Sequence, residues 1–319
     1  DPVLLEKLRL ETGRLNSFVE RWKPRLADMR RNAIFYIRAS SFCNKDILGP
    51  KFFKTQLDTL DIDEFLTAIC AIRHKEVTNK FFINYDHVRH QFKDSYKYES
   101  ILRLNLKDRF ILSADYLLHY DPQEPLYMGY DPGNFQSLIV AQKKDYGRRL
   151  DIIKEFFAFL PKDYNDLVAE VHQFFGSAAV NKTIYLYPDR AGNKRKEERE
   201  QITTDSLNLK AALESYGFMV VLYNEDAPTI YHWQQFKLCQ MLFGERSPLL
   251  PIVRIDENEC KNLCSAIMIS PLKKTEGKIE LDKSSEKKQQ LKNQAGLTTQ
   301  LPSAMIYLLY GLYSDLVRM

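Results

Sequence analysis

The chain has 319 residues, 45% hydrophobic and 28% charged, with a formal net charge of +4. That length and apolar share support a sizeable core and two domains, and the mild positive charge is compatible with a polyanionic partner without demanding one. No apolar run of about 18 residues is present to cross a bilayer, so no membrane partner is expected, and the charged opening DPVLLEKLRLETGRL does not read as a signal peptide.

The chain starts without Met, so it is expected to begin inside a longer polypeptide. Its five cysteines, Cys43, Cys70, Cys239, Cys260 and Cys264, are odd in number and scattered, as in reduced core thiols of a cytosolic protein. Cys260 and Cys264 lie four apart, on one face if helical, but a zinc site needs two further ligands and none is evident nearby.

Residues 1–120 read as mostly helical. Leu4 to Val19 has apolar residues at helical spacing, and Asn32 to Ser40 reads as a buried strand. Leu48-Gly-Pro50 is a break, followed by helices over Phe52 to Leu60 and Ile62 to Arg73, and His87 to Tyr98 is polar and irregular. From Leu126 the pattern changes to strands: Tyr127 to Tyr130, Phe135 to Gln142 and Arg149 to Leu160, with a hairpin turn at 143–147. A helix over Asp163 to Phe175, a strand over Thr183 to Tyr187, a helix over Asp205 to Tyr216 and a strand over Met219 to Tyr223 follow. Ile255 to Met268 and Leu301 to Val317 read as helices. Residues 271–300 between them are hydrophilic, a surface excursion with little apolar drive to pack, made basic by Lys283, Lys287, Lys288 and Lys292.

Three meander strands, then helix, strand, helix and strand, predict an α/β fold: a five-stranded mixed sheet flanked by helices in the ribonuclease H-like order, preceded by a mostly helical segment. In that order Asp131 closes the first strand, in YMGYDPGN, and Asp189 closes the fourth, in YLYPDRAGN. Asp before Pro-Gly is a common turn former, and so is Asp in Pro-Asp-Arg-Ala-Gly. A pair of carboxylates at adjacent strand ends has a second use. Magnesium needs clustered hard oxygen ligands, and two divalent ions about 4 Å apart can activate water, stabilise a pentacoordinate phosphorane and receive the leaving alkoxide. Lys194, Arg195 and Lys196 follow Asp189 and could hold a phosphate backbone, although Glu197, Glu198 and Glu200 neutralise that run, as in any solvated loop. The chain contains no G-x-x-x-x-G-K-[ST] loop, G-x-S-x-G elbow or H-E-x-x-H helix.

WKPRL (22–26), the segment RNAIFYIRASS and NKDILG (44–49), then YMGYDPGNFQSLIVAQ, LDIIKEFFAF, YLYPDRAGN, RIDENEC (254–260) and DKSSEK (282–287), resemble in their order the large terminase subunit of tailed bacteriophages and prophages. The likeness runs from about residue 20 onward. It implies an end of an ATPase domain and linker over 1–120 and a ribonuclease H-like nuclease over 121–319. It further implies a magnesium- or manganese-dependent endonuclease, with two ions, that cuts double-stranded DNA during packaging in the bacterial host cytoplasm. Portal protein and small terminase subunit are the partners it implies, with Lys194, Arg195, Lys196 and Lys283 on DNA. The family places a third metal-binding acid near the start of the last helix. Aligning on Ala304 puts Ser303 at that position, and Ser is neutral at pH 7. Asp315 lies 12 residues further on, roughly 18 Å along a helix and out of reach; Asp256, Asp282 and Glu225 are the other acids considered. A domain that grips DNA or docks on the portal without cutting, and a resolvase or transposase of the same fold, are the alternatives.

Overall fold

The computed structural model describes residues 40–59, 69, 80–102, 111–189, 196–198, 201–223, 231–245, 247–275, 278–288, 291 and 293–316, with isolated positions 12, 16, 20 and 23. It divides into two compact units, Asp1–Lys75 and Glu76–Met319. In the first, a 3-10 turn over Ser41–Asn44 leads into helix α1 (Lys45–Thr59). The expected break survives inside α1 as a non-helical Gly49 at φ 72°, so the helix starts before Phe52. The readings over 4–19, 32–40 and 62–73 fall almost wholly outside the described residues.

The second unit begins at Glu76, ahead of the boundary expected at 120/121. In chain order it comprises α2 (His87–His90), β1 (Gln91–Phe92), α3 (Tyr98–Leu102), β2 (Leu126–Asp131), β3 (Gln136–Lys144), β4 (Arg149–Ala158), α4 (Tyr164–Phe175), β5 (Thr183–Pro188), β6 (Lys196–Glu198), β7 (Gln201–Thr203), α5 (Asp205–Ser215), β8 (Met219–Leu222), α6 (His232–Gly244), β9 (Ile252–Asp256), α7 (Lys261–Ile269), β10 (Leu272–Thr275), β11 (Lys278–Leu281) and α8 (Gln300–Tyr313). One seven-stranded sheet runs β1-β9-β4-β3-β2-β5-β8, and β6–β7 and β10–β11 are separate hairpins. The β2-β3-β4 meander is antiparallel. β5 joins β2 in parallel on its other side, and β8 joins β5 in parallel. These five strands have the ribonuclease H-like order and directions.

Two further strands extend the sheet beyond β4. β9 runs parallel to β4, and β1 parallel to β9. The reading of Ile255 to Met268 as a single helix is corrected: a strand ends at Asp256 and a helix starts at Lys261. Val253 and Ile255, both fully buried, alternate along β9, as a strand on a packed sheet requires. Asp256 then turns the chain, its Oδ1 accepting the backbone N–H groups of Asn258 (2.9 Å) and Glu259 (3.0 Å). Residues 87–98, read as irregular, supply α2 and β1.

The sheet is buried on both faces, so its central strand β3 is a continuous apolar run rather than an alternating one. Leu138 and Val140 face one core with Leu126, Met128 and Tyr130 of β2, under α4 and α5 through Leu167, Val171, Leu209 and Leu213. Ile139 and Ala141 face the other, under α6, α7 and α8 through Leu238, Leu242, Leu263, Ala304 and Leu308. Two-residue alternation therefore turns Tyr127, Gly129 and Asp131 of β2, and Tyr185, Tyr187 and Asp189 at β5, towards α8. Contact between α8 and β2 is close: a Cβ at Gly129 would lie 2.1 Å from the Ala304 carbonyl oxygen.

The reading of 271–300 as an excursion with little reason to pack is also corrected. Leu272 and Leu281, at the base of the β10–β11 hairpin, are buried in the core beside α6, and Ala295 is buried as well. These three apolar side chains pin a segment whose average composition is polar.

Candidate active site

Tyr130 pairs with Pro188 in the parallel β2–β5 register, so Asp131 and Asp189 are the next cross-strand neighbours, with backbones about 5 Å apart. The Asp189 N–H donates to the Tyr130 carbonyl (2.8 Å), extending the ladder to the second carboxylate. At this carboxyl edge of the sheet, the Asp131 backbone meets Gln300 at the start of α8, and Asp189 lies beside Tyr307 further along it.

Asp131 uses its two oxygens differently. Oδ1 accepts the Gly133 N–H (3.1 Å), the turn bond that Asp-Pro-Gly favours. Oδ2 is buried and has no hydrogen-bond partner, with the Lys283 ammonium 3.7 Å away. The backbone oxygen of Asp131 receives the Ser137 hydroxyl (3.2 Å) and the Gln300 amide (3.4 Å), which ties the turn to β3 and to α8. A side chain at Gly133 would collide with that amide, its Cβ 2.1 Å from Gln300 Nε2.

The electrostatics follow from this burial. Desolvation pushes the Asp131 carboxyl up to about 7; Lys283 opposes the shift, and the charges of Asp189 and Glu286 add to it. Burial pulls Lys283 down, but Asp131, Glu286 and Asp189 outweigh it and the ammonium ends above its ordinary value. Tyr307 is pushed well up by burial, then by Asp131 and Asp189, and its hydroxyl hydrogen-bonds the Asp189 carboxylate. Lys283 Nζ also reaches the Tyr307 hydroxyl (3.5 Å).

Asp131, Asp189 and Lys283 thus come together, and Ser303 lies on the α8 face between Gln300 and Tyr307, spaced by one turn from each. Ser303 is 2% exposed and its Oγ has no hydrogen-bond partner. Lys194 and Arg195 lie outside the described residues, as does the Lys196 side chain, whose backbone forms β6. Asp256 is three strands from β2, about 14 Å across the sheet, and its Oδ1 also accepts the Ser95 hydroxyl (2.5 Å). The Asp282 Oδ1 accepts the Ser284 N–H (2.9 Å). Glu225 lies outside the described residues.

Sequence reasoning missed Glu286, Tyr307 and Gln300. Glu286 sits on the 3-10 turn Ser284–Lys287, inside a run of lysines and serines that reads as solvated surface. Gln300 and Tyr307 carried a signal: they share with Ser303 the i, i+3, i+7 stripe of a helix starting at residue 300.

A divalent cation needs hard oxygen donors. Asp131 Oδ2, which makes no hydrogen bond and is ion-paired with Lys283, stands beside the Asp189 carboxylate, so the two aspartates are hard oxygen donors of the kind a cation takes. Among the described residues, no three His, Cys, Asp or Glu side chains gather into a metal-holding group. No described helix is long and apolar enough to cross a membrane.

No protein-family model matches the chain, and no curated protein matches it. The structure is similar to large terminase chains and nuclease domains from several bacteriophages. The large terminase of the thermophilic bacteriophage D6E matches with a TM-score of 0.43 at 10% identity, over 83% of this chain and 52% of that one. The P22 large terminase nuclease domain matches at 0.44 and 9%, over 75% of this chain and 97% of that one. The large terminase nuclease of the thermophilic phage G20c, solved with bound cobalt, matches at 0.41 and 11%, over 73% of this chain and 97% of that one. The chain spans about half the length of the D6E large terminase.

Proposed function

We propose that the unit from Glu76 onward carries a metal-dependent endonuclease domain acting on double-stranded DNA, and that the whole chain is the nuclease-bearing part of a packaging terminase, with the residues before that unit belonging to the end of its ATPase domain and linker. One observation carries the nuclease reading. Asp131 and Asp189 stand side by side at the carboxyl ends of β2 and β5, and Asp131 Oδ2 is buried with no hydrogen bond.

In this reading Asp131 and Asp189 hold magnesium or manganese, which when bound polarises the scissile phosphate and lowers the pKa of water. The rest is work for the chain itself. The Gly133 N–H fixes the Asp131 rotamer by holding Oδ1, so that Oδ2 faces the recess. Tyr307, kept protonated, donates to Asp189 and holds it in place. The Lys283 ammonium offsets the paired negative charge and gives an incoming phosphate a cationic neighbour. Packing of α8 on β2 and β5 keeps water from the back of the recess, where Leu308 and Ala304 are fully buried.

The test is nicking of supercoiled plasmid with manganese. Asp131→Asn and Asp189→Asn are each expected to lower the rate by at least about 100-fold, with the circular dichroism of the fold unchanged. Cleavage at the wild-type rate in both variants overturns the reading. A second reading, a domain that grips DNA without cutting it, is favoured by the neutral Ser303 hydroxyl and by the missing three-acid group among the described residues. It predicts DNA binding that is the same in wild type and in both variants, with no nicking by any of them.

A further inference from the structure

We propose that the β3–β4 hairpin, residues 143–149, is a second contact for the phosphate backbone of duplex DNA, away from the cleft that Asp131 and Asp189 line. This rests on the reading of the chain as one that acts on DNA.

Charge is concentrated in the hairpin. Lys143, Lys144, Arg148 and Arg149 against Asp145 give it a formal charge of +3, in a chain whose total is +4. It lies at the edge of the sheet where β2, β4, β5 and β9 begin, opposite the cleft. Along β3, Ser137 pairs with Asp131 at one end and Lys144 with Arg149 at the other. The two ends are roughly 24 Å apart. The phosphates within reach of the hairpin are therefore not the one held at the two aspartates.

The turn between β3 and β4 displays an aromatic ring. Asp145, Tyr146 and Gly147 all have positive φ (51°, 56° and 83°). Gly takes that conformation freely, whereas a bulky side chain there is strained. Tyr146 is held in it all the same, with its side chain fully exposed at the tip. Arg149 fixes the turn by gripping two acids, with Nε and Nη2 on Asp151 (2.9 and 3.0 Å) and Nη1 on Asp145 (3.3 Å). Strained residues of this kind cluster where a site requires them, and the fold gains no buried area from this ring.

The remaining cations flank the ring. Lys144 donates to Gln142 Oε1 (3.1 Å) and lies near Asp121, Asp151 and Glu124. Lys143 and Arg148 pair with no carboxylate among the described residues. Lys143 Nζ sits over the Tyr127 ring (4.8 Å from its centroid) and towards Tyr313 of α8 (6.0 Å). Burial pulls its ammonium below the ordinary value, and a neighbouring anion would oppose that shift. Arg148 is exposed and lines, with Arg254 and His119, a recess of about 470 Å³ beside the turn. Asp145 and Asp151 line it too, but Arg149 holds both. Cations on two sides of an exposed phenol suit a chain of phosphates better than a single anion. Lys and Arg neutralise the phosphates, and a Tyr hydroxyl donates to one.

The experiment is binding of a fluorescent duplex of about 30 base pairs to the metal-free full chain, read by anisotropy over a salt series. Wild type, Asp131→Asn, Tyr146→Gly, Arg148→Glu and the double variant Lys143→Ala/Arg148→Ala are compared. Loss of two phosphate contacts should lower the slope of log affinity against log salt by about 2, and weaken binding at least about tenfold at about 0.1 M salt. Asp131→Asn should bind at least as tightly as wild type. Tyr146→Gly should melt higher than wild type, because the strain is gone, and yet bind DNA less tightly; wild-type affinity in that variant overturns the part given to the ring. Unchanged slope and affinity in the double variant overturn the proposal. Failure of wild type to bind overturns it together with the reading it rests on, whereas hairpin-dependent binding without nicking overturns only the nuclease. If inorganic phosphate displaces the duplex at matched ionic strength, or polyglutamate binds the hairpin equally well, the surface takes another anion and the assignment to DNA falls. If the double variant unfolds, Arg148→Glu alone, a change at an exposed side chain, must weaken binding at least about tenfold for the proposal to stand.

Discussion

Asp131 is a turn residue and, in the proposed nuclease, a metal ligand, and its two oxygens divide the tasks. Oδ1 holds the Gly133 N–H, while Oδ2 makes no hydrogen bond and lies 3.7 Å from the Lys283 ammonium. The turn signal Asp-Pro-Gly was plain in the sequence, and so was the pairing of Asp131 with Asp189 through strand order. The acid at 286 was not, because a lone Glu between lysines carries no periodicity and its neighbours are set by a loop path. A second carboxylate shows how local charge sets stability. Glu245 closes α6 in a left-handed conformation (φ 49°) and takes Arg254 (2.5 Å) and Arg89 (2.6 Å) on its two oxygens. Burial pushes its pKa up, but the bonds and charges of Arg254 and then Arg89 outweigh this and hold it below the ordinary 4.5. A depressed carboxylate contributes stability that is present above the unfolded value and lost as pH falls through the folded one. Glu245→Gln is therefore expected to cost about 1–3 kcal/mol at pH 7, and the gap from wild type should narrow steadily once the pH drops below about 4.5. Urea unfolding at pH 7 and pH 3.5 measures it, and a gap independent of pH would contradict the assignment.

At the level of elements, the central meander and the helices after it were legible because β3, β4, α4 and β5 are long and strongly patterned. β1, at two residues, is too short for any period to register, and β9 was hidden because its apolar residues abut those of α7, giving a run that reads as one helix. The hairpin at β10–β11 escaped because few apolar side chains, Leu272 and Leu281 with Ile279 beside them, hold it in the core. The packing of α8 on the sheet depends on glycines that no pattern announces. At Gly129 a methyl group would meet the Ala304 carbonyl at 2.1 Å and Leu308 Cβ at 2.8 Å. Backbone cannot step aside as a flexible side chain can, so Gly129→Ala should force α8 away from β2 and cost about 1–3 kcal/mol or more. Thermal melting would show the loss, and because Ser303 and Tyr307 ride on α8, manganese affinity should fall with it. A variant as stable as wild type would mean that helix and strand are less closely packed than described.

At the scale of the molecule, the unit from Glu76 onward contains a full sheet with an apolar layer on each face. A domain with its own two-sided core folds alone. Residues 76–319 expressed without the preceding segment should therefore melt in one cooperative transition and keep near-ultraviolet circular dichroism from their packed aromatics. A non-cooperative melt without that signal would show that the first unit completes the fold.

The placement of Asp131 has a further consequence. From β2 the chain moves to β3 on one side, whereas the strand on the other side, β5, is reached only by the crossover through α4. β2 and β5 are thus the two strands from which the connections depart in opposite directions. In open α/β sheets a crevice forms at such a reversal, outside the carboxyl ends of the strands, whatever residues line it. The topology provides the opening and the side chains provide only its contents. Substitutions at the strand ends therefore change what the cleft holds without closing it.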